Sequence, residues 1–291
     1  MNKLGKKNNW SAYLYITPLM IFSFVLVYYC IIRTVVVSFT DWDGMSDVFQ
    51  FIGLKNYRKM LADPVFWKSV TNNIIFFFGT VFVQAFLGFM LAVLLKKKLP
   101  GSNMFKVIYF MPIAMATSII TAIFKIIMDP TNGILNQSLR AIHLDGLAKS
   151  WLGDPKIALF SVIVVNIFQW MGFSMITYYA GLMSLPDDVY EAAKIDGAGF
   201  IKTTWLVTFP MLKGTTNVLL ILGIVGSLKT FDLVKLLTAG GPGRTTTVMN
   251  TYLYEKAFND FNAGGAASIG VAILIIAMIM SFLQIKLGKE D

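Results

Sequence analysis

Asn166, Gln169 and Trp170 fall at i, i+3 and i+4 in a run that carries no charge from Ile157 to Pro186. On a helix these three side chains share one face. Two amides beside an aromatic ring suit a sugar, because hydroxyls exchange hydrogen bonds with amides and the apolar face of a pyranose stacks on a ring. The same triplet suits an interhelical hydrogen bond beside a packed aromatic, and the spacing leaves both open. Lys229 and Asp232, three positions apart, are the other polar candidates in apolar sequence. On one continuous helix they meet on one face, as an ion pair within a bundle or as part of a polar path. Arg33 and Lys125 lie near span ends, where snorkelling to the interface accounts for them. Gln84 and the Asn72-Asn73 pair belong to no such pattern and read as structural.

Catalytic chemistry is poorly served. His143 is the sole histidine and Cys30 the sole cysteine, so no metal-ligand spacing and no internal disulfide can be spelled. Gly146-Leu147-Ala148-Lys149-Ser150 lacks the glycine before lysine that a phosphate-cradling G-x-x-x-x-G-K-[ST] needs. The expectation is a chain that is no enzyme, with no cofactor and no metal of its own.

The elements that must position these residues are membrane spans. The chain has 291 residues, 56% hydrophobic and only 14% charged, too apolar for an ordinary globular domain. Uncharged runs at Ala12–Ile32, Ser69–Leu95, Val107–Phe124, Ile157–Pro186, Gly214–Leu228 and Phe261–Ile285 approach or reach the roughly 20 residues that cross a bilayer. Backbone in lipid must satisfy its own hydrogen bonds, so the spans are helices. The fold class is therefore all-α: a polytopic membrane protein with six spans at about 12–37, 69–95, 106–128, 157–183, 214–238 and 262–285, in a single domain over 1–291. Ala12–Ile32 is too long for a signal-peptide core and no small-residue cleavage site follows, so it reads as a retained span. Cys30 inside it is a small core or lipid-facing residue. Gly264, Gly265, Ala266, Ala267, Ser268, Gly270 and Ala272 give the sixth span a small-sided half suited to close helix packing, a partner subunit being one candidate neighbour.

The formal charge of +9 is distributed by side. Lys3, Lys6 and Lys7 precede the first span; Lys96, Lys97, Lys98 and Lys106 separate the second and third; Lys194, Lys202 and Lys213 follow the fourth; Lys286 and Lys289 follow the sixth. The alternate loops balance their bases against Asp41, Asp43, Asp47, Asp63, Asp129, Asp145 and Asp154. By the positive-inside rule both termini are cytoplasmic, and the basic excess orients the chain without making a nucleic-acid surface.

Glu191-Ala192-Ala193-Lys194-Ile195-Asp196-Gly197-Ala198 is a charged, Ala-rich stretch between two spans, within a loop over 184–213 that this topology places in the cytoplasm. Ser184-Leu185-Pro186-Asp187 has the form of a capping box, and Asp187, Asp188 and Glu191 favour a helix N-terminus. Gly197 and Gly199 supply a sharp turn. The residues alone allow a solvated amphipathic connector. With Pro210 a dozen residues on, preceded by Thr208-Phe209, the stretch resembles the E-A-A loop of ABC-importer permeases. The resemblance runs nearly end to end and points to the sugar-importing branch, to the subunit similar to the maltose permease that carries the substrate site. Phe39-Thr40-Asp41-Trp42, Phe51-Ile52-Gly53-Leu54-Lys55-Asn56-Tyr57, Phe231-Asp232-Leu233-Val234 and Leu237-Thr238-Ala239-Gly240-Gly241-Pro242 carry it. The chain departs at Gly214, where a second proline is usual, and at Thr204, where an aromatic is usual.

The resemblance implies a permease subunit that pairs with a second permease and two copies of a cytosolic ATPase, receives its sugar from an extracytoplasmic binding protein, and works by alternating access. It implies that Glu191, Ala192, Ala193, Asp196, Gly197 and Ala198 couple to the ATPase, which uses the ATP. It places Asn166 on a substrate-lining position, with Gln169, Trp170, Thr117 and Ser227 on neighbouring ones, and Lys229 joins them as a path-lining residue. Trp170 stands where a glycine is implied, so the pocket differs in shape. The rival reading is an ion-coupled secondary transporter, for which only Asp232 offers a mid-span acid. The charge asymmetry predicts that a cysteine introduced at Lys97 is labelled only from the cytosol and one at Asn132 only from outside, as checked with an impermeant maleimide. Reversed labelling overturns the orientation.

Overall fold

The computed structural model describes residues 10–96 and 100–288. Lys3, Lys6, Lys7, Lys97, Lys98 and Lys289 of the basic flank lie outside the described residues. Helix dominates, and the β-structure among the described residues is one isolated bridge between Thr40 and Phe51. Four helices are long and apolar enough to cross a membrane: Tyr13–Ser38, Pro64–Lys96, Ala158–Met183 and Ala263–Lys286, of 24 to 33 residues. At about 1.5 Å of rise per residue, each exceeds a ~30 Å hydrocarbon core. Two bent pairs complete the expected six, Ser102–Ala114 with Thr117–Ile127 at 101° and Phe200–Met211 with Lys213–Lys229 at 66°.

The bends correct the sequence reading. A continuous span over 106–128 is not formed. Pro112 lacks an N–H and crowds the carbonyl four residues back, which weakens the turn around it. The helix ends at Ala114, Met115 and Ala116 are extended, and Thr117 begins a new helix. The span expected over 214–238 ends at Lys229. Thr230 and Phe231 leave helical geometry, and a short helix Asp232–Leu237 follows. Lys229 thus stands at a carboxyl end and Asp232 in a first turn, where each helix dipole favours its charge. They do not share one helix face, and no ion pair joins them among the described residues. The second span begins at Pro64, earlier than expected, because Asp63 caps it by accepting from the Val65 N–H at 2.8 Å.

The chain folds as two compact units, Met1–Ala62 with Leu253–Ala272, and Asp63–Tyr252 with Ile273–Asp291. In the first, the small-sided start of the sixth span meets its own chain. A side chain at Gly264 would overlap the Thr40 carbonyl oxygen. Asn56 Nδ2 ties that carbonyl at 2.7 Å and the Ser38 carbonyl at 3.0 Å. Close packing within this unit accounts for Gly264, and Ala266 and Ser268 are buried beside it.

In the second unit, Pro64–Lys96 packs along Ala158–Met183 through Phe89, Ala92, Tyr178 and Leu182, all buried. Ser102–Ala114 lies against the same helix so closely that a Cβ on Gly172 would overlap the Tyr109 carbonyl oxygen. Asn72 and Asn73, read as structural, clamp this unit. Asn72 Nδ2 donates to the Thr247 carbonyl at 2.8 Å. Asn73 Nδ2 donates to the Ser227 carbonyl at 3.0 Å, and its Oδ1 accepts from the Met249 N–H at 2.8 Å. One side chain therefore holds two remote backbone segments where no water competes. Asn73→Leu leaves a buried N–H and a carbonyl without that partner, at about 1–3 kcal/mol each. The expected result is a lower thermal midpoint and yield of the detergent-solubilised protein, read by fluorescence-detected size exclusion; an unchanged midpoint removes the clamp.

Candidate functional site

A cavity of about 510 Å³ opens within the Asp63–Tyr252 unit. Asn166, Gln169, Trp170, Thr117, Ser227 and Lys229 all line it. The helix Ala158–Met183 contributes the first three from one face, as their spacing predicts. The others arrive at or near helix ends. Thr117 is the first residue after the break at Met115-Ala116, and Lys229 is the last before the break at Thr230-Phe231. Gln84 and Asp232 also face the cavity. Gln84, read as structural, joins two spans and also lines the cavity, and the second role had no cue: a lone amide in an apolar run gives no periodic signal.

Asn166 and Gln169 are each bonded at one end of the amide and open at the other. Gln84 Nε2 donates to Asn166 Oδ1 at 2.8 Å and to the Asn166 carbonyl at 3.3 Å, joining two spans. Gln169 Nε2 donates to Thr117 Oγ1 at 3.4 Å. Asn166 Nδ2 and Gln169 Oε1 have no hydrogen-bond partner among the described residues. One end of each amide thus makes an interhelical bond, and the other is left without a protein partner at the cavity. Trp170 is 42% exposed, with Phe173 edge-on at 6.4 Å between ring centroids, which leaves indole surface bare. Ser227 lines the cavity too, but its hydroxyl donates to the Ile224 carbonyl at 2.9 Å within its own helix. A cavity with free amide donor and acceptor groups and an exposed indole can hold a polyhydroxylated ring.

The charged stretch forms the helix Asp187–Ile195. Ser184 does not cap it, contrary to the capping-box expectation. Its hydroxyl donates back to the Gly181 carbonyl at 2.7 Å, and Pro186 occupies the N-cap position. Gly197 adopts φ +72°, the left-handed region open to glycine. The Gly197 N–H bonds the Lys194 carbonyl at 3.1 Å and the Ala198 N–H bonds the Ala193 carbonyl at 2.9 Å, a complete Schellman cap. Gly199 is not left-handed but caps the next helix. That helix, Phe200–Met211, forms despite Thr204 in place of an aromatic, with a π-helical turn over Thr203–Thr208.

Glu191, Ala192, Asp196 and Gly197 are exposed, Ala198 is half-buried and Ala193 is buried. Ile195 is 85% exposed beside them, and Phe200 and Ile201 are exposed as well. An anchor missed in sequence fixes this helix from behind. Lys96 Nζ lies 3.5 Å from the ring centroid of Tyr190, a cation–π contact between the end of the second span and the residue before Glu191.

The Gln169–Thr117 bond yields a direct prediction. Thr117→Val keeps the volume but removes the hydroxyl that orients Gln169. The expected outcome is a several-fold rise in the half-saturation of transport with intact yield of the protein; an unchanged half-saturation separates Gln169 from solute.

A family model described as "Binding-protein-dependent transport system inner membrane component" matches residues 84–288. The probable ABC transporter permease protein YurN of Bacillus subtilis is 36% identical over 290 residues, spanning 98% of this chain and 99% of that protein. The multiple sugar-binding transport system permease protein MsmF of Streptococcus mutans is 31% identical, over 97% of this chain and 96% of its own length. A crystal structure of a bacterial alginate ABC transporter, in complex with a pentasaccharide-bound periplasmic protein, has a chain of the same fold. Its TM-score is 0.85 at 21% sequence identity, with 97% of this chain and 95% of that one covered.

Proposed function

Because the chain belongs to the family of binding-protein-dependent transport system inner membrane components, we propose that it is the permease subunit through which an ATP-driven importer moves a sugar or oligosaccharide. The observation that carries this reading is the cavity, where Asn166 Nδ2, Gln169 Oε1 and the bare face of Trp170 converge. The sugar named for MsmF and the saccharide named for the alginate importer support it. The ion-coupled alternative finds no support in relatives that are ABC permeases.

The full assembly comprises this chain, a second permease, two copies of a cytosolic ATPase and an extracytoplasmic solute-binding protein. Both termini and the helix Asp187–Ile195 face the cytoplasm, which the one-sided lysines support. Exposed Glu191, Ala192, Ile195, Asp196 and Gly197 meet the ATPase, and Ala193 and Ala198 hold the helix in place from within. Nucleotide-driven closure of the ATPases moves this helix. The Lys96–Tyr190 contact passes the motion to the second span, whose Gln84 is bonded to Asn166 at the cavity. The bond between the spans must then loosen as the cavity changes side, and solute hydroxyls are suited to replace it.

The test is made on the assembled complex in proteoliposomes with its binding protein. Saccharide-loaded binding protein is expected to raise ATP hydrolysis several-fold, and uptake is expected to persist when protonophore and ionophore collapse the ion gradients. Uptake that follows an ion gradient without ATP overturns the proposal.

A further inference from the structure

Lys229 and Asp232 are the charged residues that line the cavity among the described residues, one base and one acid. Both side chains are exposed to it, and neither has an ion-pair or hydrogen-bond partner among the described residues. Thr230 and Phe231 separate them at the break, one at the end of a helix and the other at the start of the next. An ionised group at membrane depth is costly unless it is paired or faces water. Two opposite charges so near in sequence would pair directly if the helix ran on, so the break keeps them apart and turns both toward the cavity.

The lining therefore has no net charge but offers a strong donor and a strong acceptor. A ligand carboxylate placed between these groups cannot donate to Asp232 and is repelled by it, whereas a hydroxyl can serve both. A hydroxyl gives one donor and two acceptor sites, so adjacent hydroxyls can accept from the Lys229 ammonium and donate to the Asp232 carboxylate in one pose. Asn166 Nδ2 and Gln169 Oε1 repeat the same donor-and-acceptor pairing without charge. Trp170 adds an apolar face and no charge.

Resting on the sugar reading above, we infer that the cavity selects uncharged saccharides. Lys229 and Asp232 bridge adjacent hydroxyls, and Asp232 excludes uronates and other anionic sugars. Alginate, the acidic polysaccharide carried by the importer of like fold, is then the kind of cargo this lining refuses.

The test measures saccharide binding to the assembled permease–ATPase complex without its binding protein, so that the cavity alone selects. The probes are radiolabelled glucose, maltose, lactose, maltotriose and raffinose against glucuronate and trigalacturonate. The expected result is binding of at least one neutral probe and of neither uronate. Lys229→Gln and Asp232→Asn should each weaken the neutral probe about tenfold, near 1.4 kcal/mol, with the yield of intact complex unchanged. Asp232→Asn should also admit trigalacturonate. Uronate binding to the unaltered complex, or unaltered neutral affinity in both variants, overturns this inference and leaves the sugar reading standing. Binding of no saccharide at all overturns both.

Discussion

A peptide group inside hydrocarbon has no water to turn to, and the cost of leaving it unpaired governs this structure. The most exposed of the long apolar helices, Tyr13–Ser38, stays helical from end to end, its apolar side chains exposed almost all round. Where a helix breaks, protein or the cavity takes the freed groups. The Ser227 and Leu228 carbonyls, just before the break at Thr230-Phe231, accept from Asn73 and Asn250. The Thr247 carbonyl and Met249 N–H are held by Asn72 and Asn73. At the cavity, irregular backbone is confined to the breaks at Met115-Ala116 and Thr230-Phe231.

This confinement links fold to site. Helix ends carry partial charges and free polar groups, and a cavity lined by them is polar without many charged side chains. Thr117, Lys229 and Asp232 are brought to the cavity by breaks, whereas Asn166, Gln169 and Trp170 reach it from an unbroken helix. The stable face fixes geometry, and the broken segments provide positions that can move with little loss of internal hydrogen bonding.

The fold was largely legible because hydrocarbon imposes a length that uncharged runs display directly. The face formed by Asn166, Gln169 and Trp170 was legible as well, since helical periodicity is local. The breaks were not. Pro112 was a visible cue, but Thr230-Phe231 contains no breaker, and only the charges on either side hinted that the helix would stop. The contacts of Gln84 and Lys96 were hidden for a different reason: their partners, Asn166 and Tyr190, are remote in sequence and meet them only through packing. Ser184 illustrates the converse error, a local motif that spelled a cap while its hydroxyl found the preceding turn.

The separated Lys229 and Asp232 also bear on membrane voltage. Moving one elementary charge through 100 mV takes about 2.3 kcal/mol. A lining with one positive and one negative side chain, divided only by Thr230 and Phe231, carries almost no gating charge when it swings from one face of the membrane to the other. Under the proposed alternating access with an uncharged cargo, these two residues add little voltage dependence to the stroke. In that reading the work of nucleotide binding by the proposed ATPase partner is spent on rearranging helices and little of it on moving these charges across the membrane voltage.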